Sequence, residues 1–291
     1  MSTTPRVSVV IPTVGRPTLL RAVDSACRQT VADIEIIVCD NGHETLPSFT
    51  SDRVRVIRLD AGVGGNAARQ SGIEAASAPV IALLDDDDHW HPNHLEVLLA
   101  SASAAGKPDW IASSTGSLET GASFPSRDAH PDESALDYCF RARSPRRKGA
   151  MPTSGLLFPT KLARRVPWRS EVRFHQDLTW IIEVSSSTDC QLITSRTVTF
   201  SFGDTANSVS KSIRLEESIR WACEVLLPVA GRRLFADFLL TRYPLKAAAS
   251  QGRPADVTKV LRTAFSLGAP SPAAFLYAGA QVAKSMIRRA R

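Results

Sequence analysis

Short apolar runs alternate with helically spaced segments through about the first hundred residues. Residues 7–11, Val-Ser-Val-Val-Ile, read as a strand stopped by Pro12. Leu19, Leu20, Val23 and Cys27 give residues 18–28 helical spacing. Residues 34–38 form a second strand signal that ends at Asp40-Asn41-Gly42, and residues 54–59 a third. A helix follows over 66–76, a fourth strand over 80–84 and a third helix over 92–104, with Pro92 near its first turn. This β-α-β order predicts a parallel sheet covered by helices on its faces. Beyond Gly106 the pattern loosens. Residues 110–114 and 155–158 read as strands around a long polar and basic stretch, residues 177–184 as a helix, and 191–194 and 197–202 as extended chain. From 215 onward the spacing is helical, over 215–227, 233–243, 255–265 and 272–289. The chain thus divides at about residues 105 and 210, with no internal repeat.

The fourth apolar run, Val80-Ile-Ala-Leu-Leu84, ends in Asp85-Asp86-Asp87-Asp88. An uninterrupted apolar run is the mark of a strand buried on both faces. Open α/β sheets place their ligands at the carboxyl ends of such strands. Carboxylates this close repel unless protons, solvent or a cation compensate. In extended chain Asp85 and Asp87 point to one side, Asp86 and Asp88 to the other. Two oxygens on one face suit a divalent ion that also holds a diphosphate. The plain alternative is an acidic turn that caps the helix after His91-Pro92. Other strand ends reach the same edge. Strand one delivers Pro12 and Thr13, strand two Asp40, and the turn Gly62-Val-Gly-Gly65 leads to Arg69. A Gly-rich turn opening a helix admits phosphate to the backbone. No Gly-x-Gly-x-x-Gly follows strand one, which argues against a hydride-transferring dinucleotide enzyme.

Four segments, Val7-Ser-Val-Val-Ile-Pro-Thr13, Ile36-Ile-Val-Cys-Asp-Asn-Gly42, Ala67-Ala-Arg-Gln-Ser-Gly-Ile73 and Leu84-Asp-Asp-Asp-Asp-His-Trp90, resemble family-two glycosyltransferases of the GT-A fold. They stand in that family's order and roughly its spacing. The resemblance implies a mostly parallel α/β core, a nucleotide-sugar donor (usually a UDP-sugar) and Mg or Mn. It makes residues 1–105 the nucleotide-sugar-binding half, 106–210 the acceptor half and 211–291 a helical C-terminal region. Carried over, Pro12, Thr13 and Asp40 serve the donor's base, and Arg69 lies near the nucleotide. Asp85 and Asp86 sit by the ribose and diphosphate, and Asp87, with Asp85, ligates the metal. Phe174-His-Gln-Asp-Leu-Thr-Trp180 resembles the family's helix-opening Glu-Asp pair, which makes Asp177 the catalytic base, with Gln176 in the place of Glu. Direct displacement would then invert the anomeric carbon. The local alternative for Asp177 is an acidic residue favoured by a helix N-terminus.

Several other features invite chemistry. His89, His91 and His94 follow the aspartates, but Pro92 between them starts a helix, so surface and capping roles are expected. The basic run from Arg141 to Lys148 reads as a solvated loop, or as a loop closing on the donor diphosphate or an anionic acceptor. The resemblance implies a late histidine or other polar ligand, but residues 201–210 hold no histidine, which leaves Asp204, Asn207 or Ser210 in its place, or a more open site. Lys284, Arg288 and Arg291 recur at helical spacing, a pattern that fits a packed helix with a basic outer face or one lying on an anionic membrane.

Composition narrows the function classes. The net charge of +6 suits polyanionic ligands, and no zinc-finger or RNA-recognition signature directs it to nucleic acid. No apolar stretch approaches the ~20 residues that span a bilayer. The first residues carry no signal-peptide pattern. Five scattered cysteines without a Cys-x-x-Cys pair read as reduced thiols, and the cytoplasm is the expected compartment, with peripheral membrane contact allowed. Two rival activities share the aspartates: a sugar-phosphate nucleotidylyltransferase and a catalytically silent sugar-nucleotide-binding subunit. The first needs a Gly-rich, Arg-bearing loop where this chain has Pro12-Thr-Val-Gly-Arg-Pro17. The acceptor is left open among saccharide, lipid-linked saccharide, peptide and natural product.

Overall fold

A computed structural model describes residues 4–130, 132–145, 148–203, 214–242, 244–245, 248 and 254–289, with side chains to residue 284. The chain forms two compact units, residues 1–132 with 151–207, and residues 133–150 with 208–291.

The first unit is built on one sheet. Strand β1 (Val7–Thr13) is buried throughout. It pairs in parallel with β2 (Ile34–Asp40) on one side and β4 (Val80–Leu83) on the other. Strand β3 (Val54–Arg58) adds in parallel to the outer edge of β2. Helix α1 (Leu19–Cys27) crosses from β1 to β2 and α2 (Gly65–Ala75) from β3 to β4, and α3 (His94–Ala102) follows the acidic turn. Val9, Ile11, Ile36 and Val38 meet Leu19, Val23, Leu95 and Leu98 in a core free of solvent. Burial on both faces is why β1, β2 and β4 read as plain apolar runs, while β3 lies exposed at the edge.

Pro12 does not stop β1, which runs on through Thr13. Leu84 N donates to Val10 O, so Val10 and Pro12 face the β4 side of the strand. The paired register of β4 ends opposite Val10, so the N–H that Pro12 lacks has no ladder partner to lose.

Beyond β4 the sheet becomes mixed rather than parallel. Strand β8 (Leu156–Pro159) runs antiparallel to β4 and to β6 (Trp110–Ser117). Strand β9 (Gln191–Ser201) runs parallel to β6 and pairs antiparallel with β5 (His89–Trp90), while β7 (Ser123–Phe124) adds to β6. The order among the described residues is β3-β2-β1-β4-β8-β6-β9-β5. The two extended segments expected around 191–202 are therefore one strand, whose pairing to β6 shifts register near Thr115. Helices α5 (Thr160–Arg165) and α6 (Gln176–Ser187) complete this unit.

Gly72 lets α2 lie directly on the sheet. A Cβ there would stand 2.5 Å from Val10 Cγ1 and 2.8 Å from Cys39 Sγ, inside van der Waals contact. Gly72→Ala is expected to cost about 1–3 kcal/mol by overpacking, seen as a lower melting temperature. A melting point equal to the parent's would show that the helix has room to shift.

The second unit is helical. It comprises α4 (Ala135–Phe140), α7 (Leu215–Trp221), a π-helical turn at Ala222–Leu226, α8 (Leu227–Thr241), α9 (Pro254–Ser266) and α10 (Pro272–Arg289). Gly231, at φ 74, interrupts α8 in the gap between the helical segments read at 215–227 and 233–243. Phe140 and Phe238 pack edge to face at 5.9 Å. The buried carboxylate of Asp237 accepts from Ala142 N and Ser271 N, both at 2.8 Å, and so ties three segments together.

Candidate functional site

The carboxyl edge of β1, β2 and β4 gathers the polar groups of the first unit. The chain leaves β4 and turns at once, with Asp88 N donating to Asp85 O at 3.1 Å. That turn removes the alternation expected of extended chain. Asp85, Asp87 and Asp88 converge, with one oxygen from each within 4.8 Å of the others. Asp86 turns inward, 3% exposed. Its Oδ2 accepts from Thr13 Oγ1 at 2.6 Å and its Oδ1 from Arg16 Nη1 at 2.7 Å. Thr13 Oγ1 also accepts from Gly15 N at 2.9 Å, which holds the hydroxyl in place.

Two cations flank the cluster. Arg16 Nη1 bridges Asp86 and Asp87, reaching Asp87 Oδ2 at 3.1 Å. Arg69 Nη2 donates to Asp85 Oδ1 at 2.7 Å, and its Nη1 to Gln176 Oε1 at 2.9 Å. The Arg69 guanidinium lies over the Trp168 ring at 5.4 Å, while its buried Nε has no hydrogen-bond partner. Ser154 stitches the turn from beneath. Its Oγ accepts from Asp85 N at 3.0 Å and donates to Asp88 Oδ2 at 2.6 Å, and its carbonyl takes the Trp90 indole N–H at 2.7 Å. Gly203 N donates to Asp88 Oδ1 at 2.9 Å.

The electrostatics of this turn fit a dication. Burial first, then the charge of Asp85, pushes the Asp87 carboxyl up to about 6 and that of Asp88 up to about 7. Burial likewise raises Asp86, against the opposing bond from Thr13 and the charge of Arg16. Crowded carboxylates, two of them pushed up in this way, are what a hard divalent ion relieves, and oxygen donors are its preferred ligands. Among the described residues no other group of three or more His, Cys, Asp or Glu side chains converges in this way.

Asp40 ends β2 and is fully buried. Its Oδ1 accepts from Gly42 N at 2.9 Å. Arg58 Nη1 stands 2.7 Å from Oδ2 as an ion pair, without the alignment of a hydrogen bond, so Oδ2 keeps an unused acceptor. Asp177 lies in the first turn of α6, behind His175 in a left-handed conformation at φ 52. A non-glycine residue held there stores strain of a kind found at functional sites. The residue retains partial exposure at its surface, yet protein packs closely around its carboxyl. That crowding raises its pKa, against the Leu178 N–H and the charge of Arg69, while Asp85 adds to the rise. Asp177 is thus within electrostatic reach of the aspartate turn.

The remaining candidates separate from the cluster. His94 is fully buried, stacked on Trp90 at 4.2 Å, and its Nδ1 pairs with Thr199 Oγ1 at 2.8 Å. Burial pushes its pKa down to about 3, which keeps the ring neutral. His91 Nε2 pairs with Ser201 Oγ at 3.3 Å. In the basic run, Arg141 pairs with Asp137 and Arg143 with Glu133, each at 2.8 Å. Arg146 and Arg147 lie outside the described residues, as do Asp204, Asn207 and Ser210. An open cleft of about 720 Å³ along α2, lined in part by Leu59, Ala67, Gln70 and Trp168, contains none of the aspartates. Arg16, Asp88 and Ser154 were not singled out from sequence as site residues. Arg16 stands in Pro12–Pro17, where its neighbour Thr13 was the only signal, and Ser154 is brought in across 69 residues of chain.

Comparison with known proteins agrees with this geometry. Residues 8–149 match the family described as Glycosyl transferase family 2. The glycosyltransferase YwdF of Bacillus subtilis (strain 168) is 35% identical over 105 residues, covering 34% of this chain and 39% of that protein. The Escherichia coli UDP-Glc:alpha-D-GlcNAc-diphosphoundecaprenol beta-1,3-glucosyltransferase WfgD is 30% identical over 100 residues, 32% of this chain and 40% of that one. The match therefore spans about two fifths of these relatives' length. Among solved structures, S. aureus TarS 1-349 in complex with UDP-GlcNAc superposes with a TM-score of 0.63 at 12% identity, over 96% of this chain and 89% of that one. At that identity the likeness establishes the fold, which is GT-A.

Proposed function

We propose that this chain, which carries a family-two glycosyltransferase domain over residues 8–149, moves a sugar from a UDP-sugar to an acceptor hydroxyl with inversion. The observation that carries this reading is the meeting of Asp85, Asp87, Asp88 and Arg69 at the sheet edge, with Asp177 in electrostatic reach. The three carboxylates would hold Mg or Mn, which when bound supplies Lewis-acid stabilisation of the departing diphosphate. Arg69 adds a fixed positive charge at that place, and its unpaired Nε–H is a donor awaiting an acceptor. Asp40 Oδ2 offers the acceptor for a base N–H once the half-exposed Arg58 side chain moves aside. Thr13 and Arg16 hold the inward carboxylate of Asp86, which fixes the turn that presents Asp85 and Asp87 to the ribose and diphosphate.

Asp177 is the base. Its carboxylate takes the proton of the acceptor hydroxyl as that oxygen bonds to the anomeric carbon. The bond from that carbon to the diphosphate breaks on the opposite face, and the nucleoside diphosphate leaves with the electron pair. A raised pKa makes Asp177 a stronger proton acceptor than an ordinary aspartate. Gln176 holds Arg69 without adding a second negative charge beside Asp177. The UDP donor finds support in the UDP-GlcNAc complex of TarS and in the name of WfgD. The latter also favours a lipid-linked saccharide among the acceptors. Such an acceptor would set the chain to work at the inner surface of a membrane, in peripheral contact.

Melting curves test the donor and metal assignment together. UDP with Mn or Mg should raise the melting temperature more than UDP or metal alone, since only the folded protein binds both. Stronger stabilisation by GDP than by UDP would overturn the role given to Asp40. Arg16 supplies a finer prediction, because its guanidinium pairs with Asp87, one of the three carboxylates that would hold the ion. Arg16→Gln is expected to tighten Mn binding without nucleotide by ~5-fold, the equivalent of one weak ion pair no longer competing. The electron-spin signal of free Mn measures this, and an unchanged affinity would contradict the competition.

A further inference from the structure

Residues 257–291 contain Lys259, Arg262, Lys284, Arg288, Arg289 and Arg291 and no Asp or Glu, a charge equal to the +6 of the whole chain. Within the second unit, α10 is seated by one face only. Ala274, Tyr277 and Ala278 are buried, and Lys148 Nζ donates to Tyr277 Oη at 3.1 Å. The opposite face runs through Phe275, Leu276, Gly279, Ala280 and Ala283 to Lys284, all exposed. That spacing is a single helical stripe. An exposed helix stripe ordinarily carries polar side chains, and this one has none before Lys284. Phe275 is 60% and Leu276 62% exposed. Phe265, near the end of α9, meets Phe275 edge to face at 6.2 Å, and Leu267 is exposed beside it. Arg262 lies one turn earlier on the exposed side of α9. Contiguous exposed aromatic and aliphatic groups mark an interaction surface.

We propose that this face docks on an anionic lipid bilayer, with α10 lying in the headgroup plane. Phe265, Leu267, Phe275 and Leu276 enter the acyl boundary, while Arg262 and Lys284 meet lipid phosphates and the arginines later in the sequence add positive charge. Charge selects this occupant. Lys259 is paired with Glu216, but residues 260–291 carry five cationic side chains and no acid; a second copy would bring two such stretches together, whereas an anionic surface complements them. No described helix is long and apolar enough to cross a membrane, so α10 lies on the surface. The docking requires α9 and α10 alone and does not rest on the proposed function.

The test is sedimentation of the whole chain with vesicles of phosphatidylcholine, with and without phosphatidylglycerol. Binding should need phosphatidylglycerol and weaken as salt rises. Phe275→Ser/Leu276→Ser should lose at least ~10-fold in partitioning with an unchanged melting temperature, since both side chains already face water. Lys284→Gln/Arg288→Gln should lose severalfold and leave the residual binding less sensitive to salt. Equal partitioning of parent and Phe275→Ser/Leu276→Ser, or absent binding to phosphatidylglycerol vesicles, would overturn the proposal. A dimer by light scattering that this variant dissociates would overturn it too, by assigning the face to a second copy. Metal-dependent stabilisation by UDP is read on the same preparations without vesicles, so loss of either property leaves the other standing.

Discussion

Asp177→Asn is expected to bind UDP and metal like the parent and to transfer sugar at least ~100-fold more slowly, the lower range for a lost general base. Asparagine keeps the size of the side chain and its fit at the start of α6, but accepts no proton. The effect should fall on turnover rather than donor binding, because the base acts on the acceptor in the transition state. The pH profile carries a second signature. Burial raises the Asp177 carboxyl, so at saturating metal and donor, where the aspartate turn is held ionised, an acid limb of the parent's rate should lie above the ordinary aspartate range and vanish in the variant. The stability sign follows from the same shift. Below the ordinary aspartate value both folded and unfolded chains are protonated, and Asp177 contributes nothing. Above it the unfolded chain ionises more readily than the folded one, so the native state loses relative stability. Asp177→Asn should therefore melt at or slightly above the parent at neutral pH. An active Asn variant with a less stable Ala variant would reduce Asp177 to a helix-start residue.

Asp87→Asn should abolish the metal-linked part of UDP stabilisation and cut turnover by ~100- to 1,000-fold, the loss expected when one stabiliser of developing charge goes. Asp87 shares its turn with Asp85 and Asp88, and the neighbouring Asp86 is already committed to Thr13 and Arg16. Removing one ligand leaves a site with two. Metal binding requires ionised carboxylates, and Asp87 and Asp88 sit at about 6 and about 7 before a cation arrives. Metal affinity should hence weaken as pH falls through that interval, with protons released on binding within and below it and none well above it. Calorimetry in buffers of different ionisation heat counts those protons. Affinity that ignores pH there would place the ion elsewhere.

Strands β1, β2 and β4 were legible because burial on both faces leaves plain apolar runs, whereas β3, an edge strand without a buried residue, showed through its valines and isoleucine. The chemistry at their ends was legible as residue types, not as geometry. Asp85 to Asp88 read as extended chain, whereas the Asp88–Asp85 backbone bond folds them into a turn and makes Asp86 the inward member. No local rule reveals that Ser154 fastens this turn, since its partners lie 66 to 69 residues away. Strand β8 gave an apolar signal like that of β4, and nothing in such a run says whether it enters a sheet parallel or antiparallel. The two residues of β5 were too few to show alternation and merged with the acidic turn. Helices α4 and α5, six residues each, were too short for their periodicity to show. Residues 133–150 cluster with the C-terminal helices, a long-range pairing fixed by Asp237 and the Phe140–Phe238 contact.

The most direct test is product analysis by mass spectrometry after incubating the chain with a panel of nucleotide sugars and Mn. Without acceptor, slow hydrolysis should release UDP and free sugar from one UDP-sugar, and a chelator should stop it. Release of pyrophosphate from UTP and a sugar phosphate would instead identify a nucleotidylyltransferase. Tight UDP-sugar binding with no turnover under any acceptor supplied would identify a silent binding subunit, and either result would contradict glycosyl transfer at this site.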